Sequence, residues 1–209
     1  GLEPSCTAVF RADAPELFPG DLDVQRLAGQ VRTLAEQLVN HAPDDWRPPR
    51  PARTAIVQTH CHQHAVLKDD ADRELMRRAG LDAEVLDAGC CGLAGNFGFE
   101  RGHYNLSMEI GELGVLPAVR EASPGALVLA DGFSCRTQIS QARTGRAALH
   151  LAEALALALD GPAPAHHPER LADRPGPDAR DARLVTAASL AAVAVAAGAA
   201  GAVFLRRRT

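Results

Sequence analysis

Four cysteines are the residues whose type and spacing in this sequence indicate a specific chemistry. Cys90 and Cys91 are adjacent, Cys61 lies upstream of them and Cys135 lies downstream. Adjacent Cα atoms lie ~3.8 Å apart, less than the ~4.4–6.8 Å that usually separates the Cα atoms of a disulfide. Since neighbouring side chains tend to point apart, two adjacent thiolates suit a polynuclear centre better than one tetrahedral ion. The pattern therefore predicts that Cys61, Cys90, Cys91 and Cys135 hold an iron–sulfur cluster.

The residues around these cysteines fit the same chemistry. A glycine-rich loop follows Cys91, and glycine lets the backbone approach a bulky ligand with its N–H groups directed at sulfur. His62 ranks first among the nearby histidines as an additional metal ligand, although second-layer hydrogen bonding is the more ordinary role for such a residue. Cys6 is a further candidate ligand, for which a buried apolar thiol is the alternative. No side chain is predicted to be catalytic.

Two other functions remain open on the same residues. Some of these cysteines together with His60, His62 or His64 would form a structural zinc site, which would make the chain a zinc-stabilised interaction domain. No CxxC knuckle of the kind usual in zinc fingers occurs in the sequence. The adjacent pair Cys90-Cys91 would instead support a thiol–disulfide redox module.

Short apolar segments typical of strands alternate along the chain with segments of helical periodicity. The positions of these strands and helices determine where the cysteines lie. The predicted strands cover Thr54–Gln58, Ala83–Leu86 and Ala126–Ala130. The predicted helices cover Asp23–Asn40, Asp69–Ala79, Tyr104–Val119 and Leu149–Leu159. This alternation predicts an α/β fold with a mostly parallel sheet flanked by helices. Because ligands bind beyond the carboxyl ends of parallel strands, we expect the cysteine-bearing loops to meet at that edge.

The two ends of the chain differ in composition from this region. Residues 1–20 are rich in turn-forming residues, and residues 161–183 are rich in Pro, Asp and Arg, which predicts a disordered linker. Residues 184–205 carry no charge and precede three arginines. As a helix this segment would be roughly 33 Å long, enough to cross a bilayer core of ~30 Å. We expect a C-terminal apolar helix that spans a membrane or, being rich in Ala, packs on protein.

Composition excludes some classes of function. The chain has 209 residues and a net charge of −4, and no basic stripe interleaved with aromatics, so we expect no nucleic-acid partner. Five cysteines, an odd number, without a secretory signal indicate a reducing, cytoplasmic location, with membrane association through residues 184–205. The first residue is not Met, so we expect the chain to be a fragment of a longer protein.

The cysteine motifs resemble those of a known family. His-Cys-His at 60–62, Cys-Cys-Gly at 90–92 and the later Cys135 resemble the cysteine-rich CCG domain. That domain occurs in heterodisulfide reductase subunits and in the iron–sulfur subunits of glycolate oxidase and anaerobic glycerol-3-phosphate dehydrogenase. The strings Gly-Leu-Glu-Pro-Ser-Cys at 1–6 and Ala-Asp-Gly-Phe-Ser-Cys at 130–135 resemble fused FAD-linked oxidases similar to glycolate oxidase and D-lactate dehydrogenase.

The resemblance implies a domain organisation and a ligand set. Residues 1–20 would be the remnant of a preceding CCG repeat that closes with Cys6, and residues 21–160 would be one CCG-type cysteine-rich domain. The implied cofactor is an iron–sulfur cluster of the 4Fe-4S type. The family pattern closes with CxxC, whereas this sequence has Gly132 in place of the first of these cysteines, so one family ligand is missing.

The resemblance also implies a function. The chain would be the electron-transfer module of an FAD-linked 2-hydroxy-acid oxidoreductase of the glycolate or D-lactate type. It would pass electrons from the flavin towards an acceptor such as a quinone. FAD would be bound by a domain or subunit absent from this chain, so the chain would be part of an oxidoreductase rather than a complete enzyme.

Overall fold

The fold is built on a three-stranded parallel sheet. The computed structural model describes residues 1–159 and 165–171. The strands are β1 (Thr54–Val57), β2 (Asp82–Val85) and β3 (Leu127–Leu129), in the order β2-β1-β3, and β1 pairs in parallel with both neighbours. Each strand overlaps the segment predicted for it. The predicted α/β fold with a parallel sheet is therefore confirmed.

Helices connect and cover the strands. In chain order they are α1 (Pro4–Ala8), α2 (Ala14–Leu17), α3 (Leu22–Gln30), α4 (Leu34–His41), α5 (Asp70–Arg78), α6 (Tyr104–Glu112), α7 (Val115–Glu121), α8 (Phe133–Gln141) and α9 (Leu151–Leu157). Shorter turns of π or 3₁₀ type cover Val9–Asp13, Gln63–Leu67, Phe97–Phe99 and Pro168–Leu171. The predicted helices at 69–79 and 149–159 correspond to α5 and α9.

Successive residues of β3 face opposite sides of the sheet, and this alternation creates two apolar cores. Leu127 and Leu129 pack with residues of α5 and α9. Val128 packs with residues of α7 and α8. Cys91 and Cys135 belong to this second core, so half of the candidate ligands are held by the packing of the domain itself.

The helix predicted over Asp23–Asn40 is two helices, α3 and α4. The Thr33 hydroxyl accepts a hydrogen bond from the Glu36 N–H at 3.1 Å, and the Glu36 carboxylate accepts one from the Thr33 N–H at 2.8 Å. This capping box starts a new helix and outweighs the apolar periodicity that runs through both segments. The prediction of one continuous helix was wrong for this reason.

Two further helical segments differ from prediction. The predicted helix Tyr104–Val119 is divided into α6 and α7 at Gly114, where a side chain would lie 2.7 Å from the Ala88 side chain. Residues 1–20 were expected to be turn-rich, but most of this segment is helical. Pro4 and Pro15 lie in the first turns of α1 and α2, where proline is tolerated because its missing N–H has no intrahelical partner.

The described part of the C-terminal region is short. Residues 165–171 lie within the predicted linker and include the 3₁₀ turn Pro168–Leu171. Glu169 is buried and pairs with Arg146 at 2.8 Å. The rest of the predicted linker and the apolar segment 184–205 lie outside the described residues. Within the part of the chain that is described, no helix has the length and apolar character needed to cross a membrane.

Candidate metal centre

Three loops bring the four candidate cysteines to the carboxyl edge of the sheet. Cys61 follows β1, Cys90 and Cys91 follow β2, and Cys135 lies in the first turn of α8 after β3. The pKa of Cys135 is raised by its hydrogen bond to Cys91, by burial, and by the negative charges of Cys91, Cys61 and Cys90. The four sulfurs thus share one electrostatic environment, and we call these four residues the thiol site. All of them are free thiols.

Cys91 and Cys135 form the buried half of the thiol site, with 4% and 2% of their surface exposed. The hydrogen bond from the Cys135 thiol lowers the pKa of Cys91 to about 6, although burial opposes this shift. The backbone N–H groups of Leu93 and Ala94 also donate to the Cys91 sulfur and lower its pKa further. Consecutive N–H groups that converge in this way form an anion-binding concavity. These hydrogen bonds therefore favour the thiolate form of Cys91 and hold its sulfur in place.

Cys61 and Cys90 form the exposed half of the thiol site. Burial of part of the side chain raises the pKa of Cys61, and the negative charge of Cys90 raises it further. The Cys90 sulfur accepts a hydrogen bond from the Gly92 N–H at 3.3 Å. Both thiols line a cavity of about 470 Å³, which Thr59 and Arg73 also line. This half of the site is accessible to a cofactor or a partner.

The thiolates of the thiol site carry charges of the same sign and repel one another. Deprotonation of Cys61 or Cys135 is disfavoured by burial and by thiolate charge on neighbouring cysteines. A bound cation reverses this effect, since metal coordination deprotonates thiols outright. The donor set therefore fits a cationic metal centre, with Cys91 as the ligand that is ionised first.

The His60, Cys61 and His62 donors and the four thiols differ in how closely they are grouped. Within residues 1–159 and 165–171, one group of three or more His, Cys, Asp or Glu donors lies within a mutual distance of 4.8 Å, namely His60, Cys61 and His62. A tetrahedral zinc site with Zn–S bonds of ~2.3 Å needs sulfurs separated by roughly 3.8 Å. The four thiols do not form such a compact group among the described residues. Cys91 and Cys135 are a closer pair, since they hydrogen-bond to each other.

His60 is buried beside the thiol site. Its imidazole ring packs against Gly132, which has no side chain. A side chain on Gly132 would overlap the imidazole ring of His60, so glycine is required where the ring packs. The His60 Nδ1 accepts a hydrogen bond from the His62 N–H at 3.2 Å, and burial lowers the pKa of His60. The exposed His62 ring stacks on His60 and places its Nδ1 3.9 Å from the Cys61 sulfur. Ligation by His62 stays a prediction.

A buried polar network fixes the Cys-Cys-Gly loop to the helices behind it. The Gln138 amide of α8 donates to the Ser107 carbonyl of α6 at 2.9 Å and to its hydroxyl at 3.2 Å. Gly92 has φ of +94°, and a side chain there would overlap the Ser107 carbonyl. The sequence reasoning did not identify Gln138 or Ser107, because a single polar residue within a helix gives no signal of its own.

The N-terminal segment is also joined to the site. The Glu3 carboxylate caps α1 and accepts a hydrogen bond at 2.7 Å from the Phe133 N–H, at the start of the helix that carries Cys135. α1 packs against the turn Gln63–Leu67, which follows Cys61. Cys6 lies on α1 with an exposed, free thiol. Glu3 was missed by sequence reasoning, since its partner is 130 residues away.

Comparison with known proteins identifies relatives of this chain among dehydrogenases. The chain is 32% identical over 148 residues to a subunit of the anaerobic glycerol-3-phosphate dehydrogenase of Escherichia coli (strain K12), a match covering 68% of this chain and 36% of the relative. It is 31% identical over 156 residues to the D-2-hydroxyglutarate dehydrogenase of Haemophilus influenzae, covering 68% of this chain and 14% of the relative. The homologues of this chain are thus dehydrogenases or their subunits. No family model matches the sequence, and no solved structure matches it.

These relatives test the predicted resemblance at a coarse level. The homology extends to dehydrogenases, which are oxidoreductases. It does not favour the glycolate or D-lactate type over other dehydrogenases. The chain spans about a third of the first relative and about a seventh of the second, so most of the length of each relative has no counterpart in this sequence.

Proposed function

We propose that this chain is the electron-transfer module of a dehydrogenase and binds an iron–sulfur cluster through Cys61, Cys90, Cys91 and Cys135. The observation that carries this proposal is the convergence of four cysteines, from loops that follow three parallel strands, at one edge of the sheet. Several thiolates delivered to one edge of a sheet are the donor set of a polynuclear cluster.

The residues of the two halves have different tasks in this proposal. Cys91 is the anchoring ligand, because its pKa is lowered and its sulfur accepts hydrogen bonds from the N–H groups of Leu93 and Ala94. Cys135 loses its proton on binding, and Cys61 and Cys90 complete the site from the exposed side. The bound cluster would supply one-electron redox chemistry, which no side chain of this site provides by itself. Hydrogen bonds from backbone N–H groups to sulfur help to set the reduction potential.

The identity of the parent enzyme is a further part of the proposal. We assign a cluster of the 4Fe-4S type in a CCG-type domain, and FAD on a separate domain or subunit. The electrons would come from oxidation of a 2-hydroxy acid, as the name of the D-2-hydroxyglutarate dehydrogenase relative describes for that protein. A quinone is the proposed acceptor, reached in the cytoplasm or at a membrane through residues 184–205.

One observation favours a second candidate, a zinc-stabilised domain. His60, Cys61 and His62 have donor atoms within 4.8 Å of one another, which is the spacing of a mononuclear site. Zinc bound there would leave Cys91 and Cys135 without a role as ligands. The two candidates therefore depend on different residues.

Metal analysis of single variants separates the candidates. The full chain is purified anaerobically, and iron, acid-labile sulfide and zinc are measured together with electron paramagnetic resonance of the reduced protein. We expect iron and sulfide in equal amounts in the wild type, loss of both in C91S and C135S, and retention of both in H62A. Stoichiometric zinc that persists in C91S and C135S but disappears in H62A would establish the zinc site instead.

A further inference from the structure

A small chamber next to the cavity of the thiol site has no part in the proposed ligation. It has a volume of about 20 Å³ and a mostly apolar lining, into which Gln58, Thr59, Asp72 and Asp131 bring polar groups. Gln58 and Thr59 also line the larger cavity that contains Cys61. The side chain of Gln58 is thus a shared wall between the thiol site and this chamber.

The orientation of the Gln58 amide follows from its hydrogen bonds. Its Nε2 donates to the Thr59 carbonyl at 3.2 Å and to the Gly89 carbonyl at 2.9 Å, immediately before Cys90. Both N–H donors of the amide are therefore used, and a reversed amide would place its oxygen against two carbonyl oxygens. The Oε1 atom must face away from these carbonyls. It is buried and has no hydrogen-bond partner among the described residues.

Asp72 also lines this chamber and carries a second unpaired oxygen. The residue is 7% exposed, and its Oδ2 is buried without a hydrogen-bond partner among the described residues. Its carboxylate does accept a hydrogen bond from Gln63. Because Gln58 Oε1 and an ionised Asp72 Oδ2 are both acceptors, they cannot bond to each other. A donor between them is needed, and a water molecule with two O–H groups fits both.

The volume and the charge of the chamber agree with such an occupant. A buried water needs a cavity of at least ~10–15 Å³ and two to four polar partners. The chamber, at about 20 Å³, exceeds this volume, and the unpaired oxygens of Gln58 and Asp72 are two such partners.

We propose that this chamber holds one water molecule between Gln58 and Asp72, and that Asp72 gains a proton when the adjacent metal centre gains an electron. The inference rests on the proposed function, because it requires a redox centre at the thiol site. One electron, supplied by a reduced flavin or by a chemical reductant, enters the centre. One proton from solvent converts the Asp72 carboxylate to a carboxylic acid, so the net charge of the region is unchanged. Reoxidation releases both.

The charges that face Asp72 favour this coupling. Burial raises the pKa of Asp72 to about 7, and the negative charges of Asp131 and Asp69 raise it further. Asp69 pairs with Arg73 on the exposed side of α5. His150, Arg136 and Glu3 act on Asp131. Asp72 is therefore a buried carboxylate with a raised proton affinity, and an additional electron on the other side of Gln58 would raise that affinity further.

The reduction potential measured against pH tests the inference in the cluster-loaded full chain. We expect the wild-type midpoint potential to fall as pH rises through the region at and above 7, by at most 59 mV per tenfold change in proton concentration for one electron. In Asp72→Asn the potential should be constant over this range and equal to the low-pH value of the wild type. Asp70→Asn is the matched control, because Asp70 is exposed on the same helix and should leave the pH dependence intact.

A second measurement covers failure of the Asp72 variant to fold or to assemble its cluster. Redox-difference infrared spectra of wild-type protein labelled with ¹³C-aspartate should show a protonated carboxyl band that appears on reduction. A flat potential, or the absence of that band, in protein with an intact cluster overturns the proton coupling alone. Wild-type pH dependence that persists in Asp72→Asn also overturns it. Protein that assembles no cluster defeats the proposed function and the coupling together.

Discussion

The two halves of the thiol site differ in how the fold holds them. Cys91 and Cys135 are packed in an apolar core and hydrogen-bonded to each other. Cys61 and Cys90 are exposed and face a wide cavity. The buried half fixes the position of two sulfurs before any metal binds, whereas the exposed half can adjust to the metal and can be approached from outside. A site with both properties suits a cofactor that is anchored on one side and exchanges electrons on the other.

Removal of single thiols should give the largest difference between the two halves, measured as bound iron. C91S or C135S should lower bound iron at least about tenfold, since each loses a preorganised ligand and disturbs its hydrogen-bonded partner. C61S or C90S should lose less, because solvent or an added thiol can reach the vacated position. Iron per chain after anaerobic reconstitution is the measurement. C6S is the control and should bind iron as the wild type does. Equal losses in all four variants would show that the two halves are equivalent.

Titration of the thiols in metal-free protein sharpens the same contrast. The pKa of Cys91 is lowered to about 6 by its hydrogen bond from Cys135, whereas burial and the charge of Cys90 raise the pKa of Cys61. Thiolate absorbance near 240 nm should therefore show one step centred near pH 6, which C91S removes and C61S keeps. Cys61 and Cys135, whose pKa values are raised, should ionise above the ordinary cysteine range. The absence of any step below pH 8 would contradict a preformed thiolate.

Substitution of Gly89 and Gly92 tests how tightly the backbone is packed on either side of the Cys90-Cys91 pair. Gly89 and Gly92 both have positive φ, of +62° and +94°. A side chain at Gly92 would overlap the Ser107 carbonyl, whereas none of the described atoms lies within 4 Å of a side chain at Gly89. Gly92→Ala should therefore cost roughly 2–4 kcal/mol of unfolding free energy, and Gly89→Ala about 1 kcal/mol. Urea unfolding of both variants measures the difference, and equal costs would refute the close contact at Gly92.

The smallest expected effect concerns the buried and exposed aspartates of α5. The pKa of Asp72 is raised from 3.8 to about 7, so the folded state binds more protons than the unfolded state between these values. Stability should consequently fall as pH rises from about 4 to about 7 and stay lower above that. Asp72→Asn should remove this loss and be more stable than the wild type by about 1–3 kcal/mol at pH 8, but not at pH 4. Asp70→Asn should follow the wild type at both values. Urea unfolding at the two pH values measures this, and a deficit of Asp72→Asn at pH 8 would contradict the buried charge.

The alternation of strands and helices and the positions of the cysteines could be predicted from the sequence. Apolar runs ending at Gln58, Leu86 and Ala130 located the strands, and parallel topology then placed the loops carrying the cysteines at one edge. Composition cannot show which thiols are buried, because this depends on how α7 and α8 pack behind β3. The hydrogen bond that gives Cys91 its low pKa was therefore not predicted.

Local rules that compete with periodicity account for the other differences. The Thr33 capping box ended one predicted helix and started another, and prolines in the first turns of α1 and α2 began helices where turns were expected. Long-range contacts such as Glu3 with Phe133, and the approach of Asp131 to Asp72, have no sequence signature at all. These contacts arise only once the chain has folded.

The central claim is that four thiols from three strands hold one polynuclear cluster. X-ray absorption at the iron edge of the anaerobically purified full chain tests it most directly. The account predicts an iron environment made of sulfur, with neighbouring iron atoms in the second layer. An isolated metal ion with mixed nitrogen and sulfur ligands would contradict it and would place the metal at His60, Cys61 and His62.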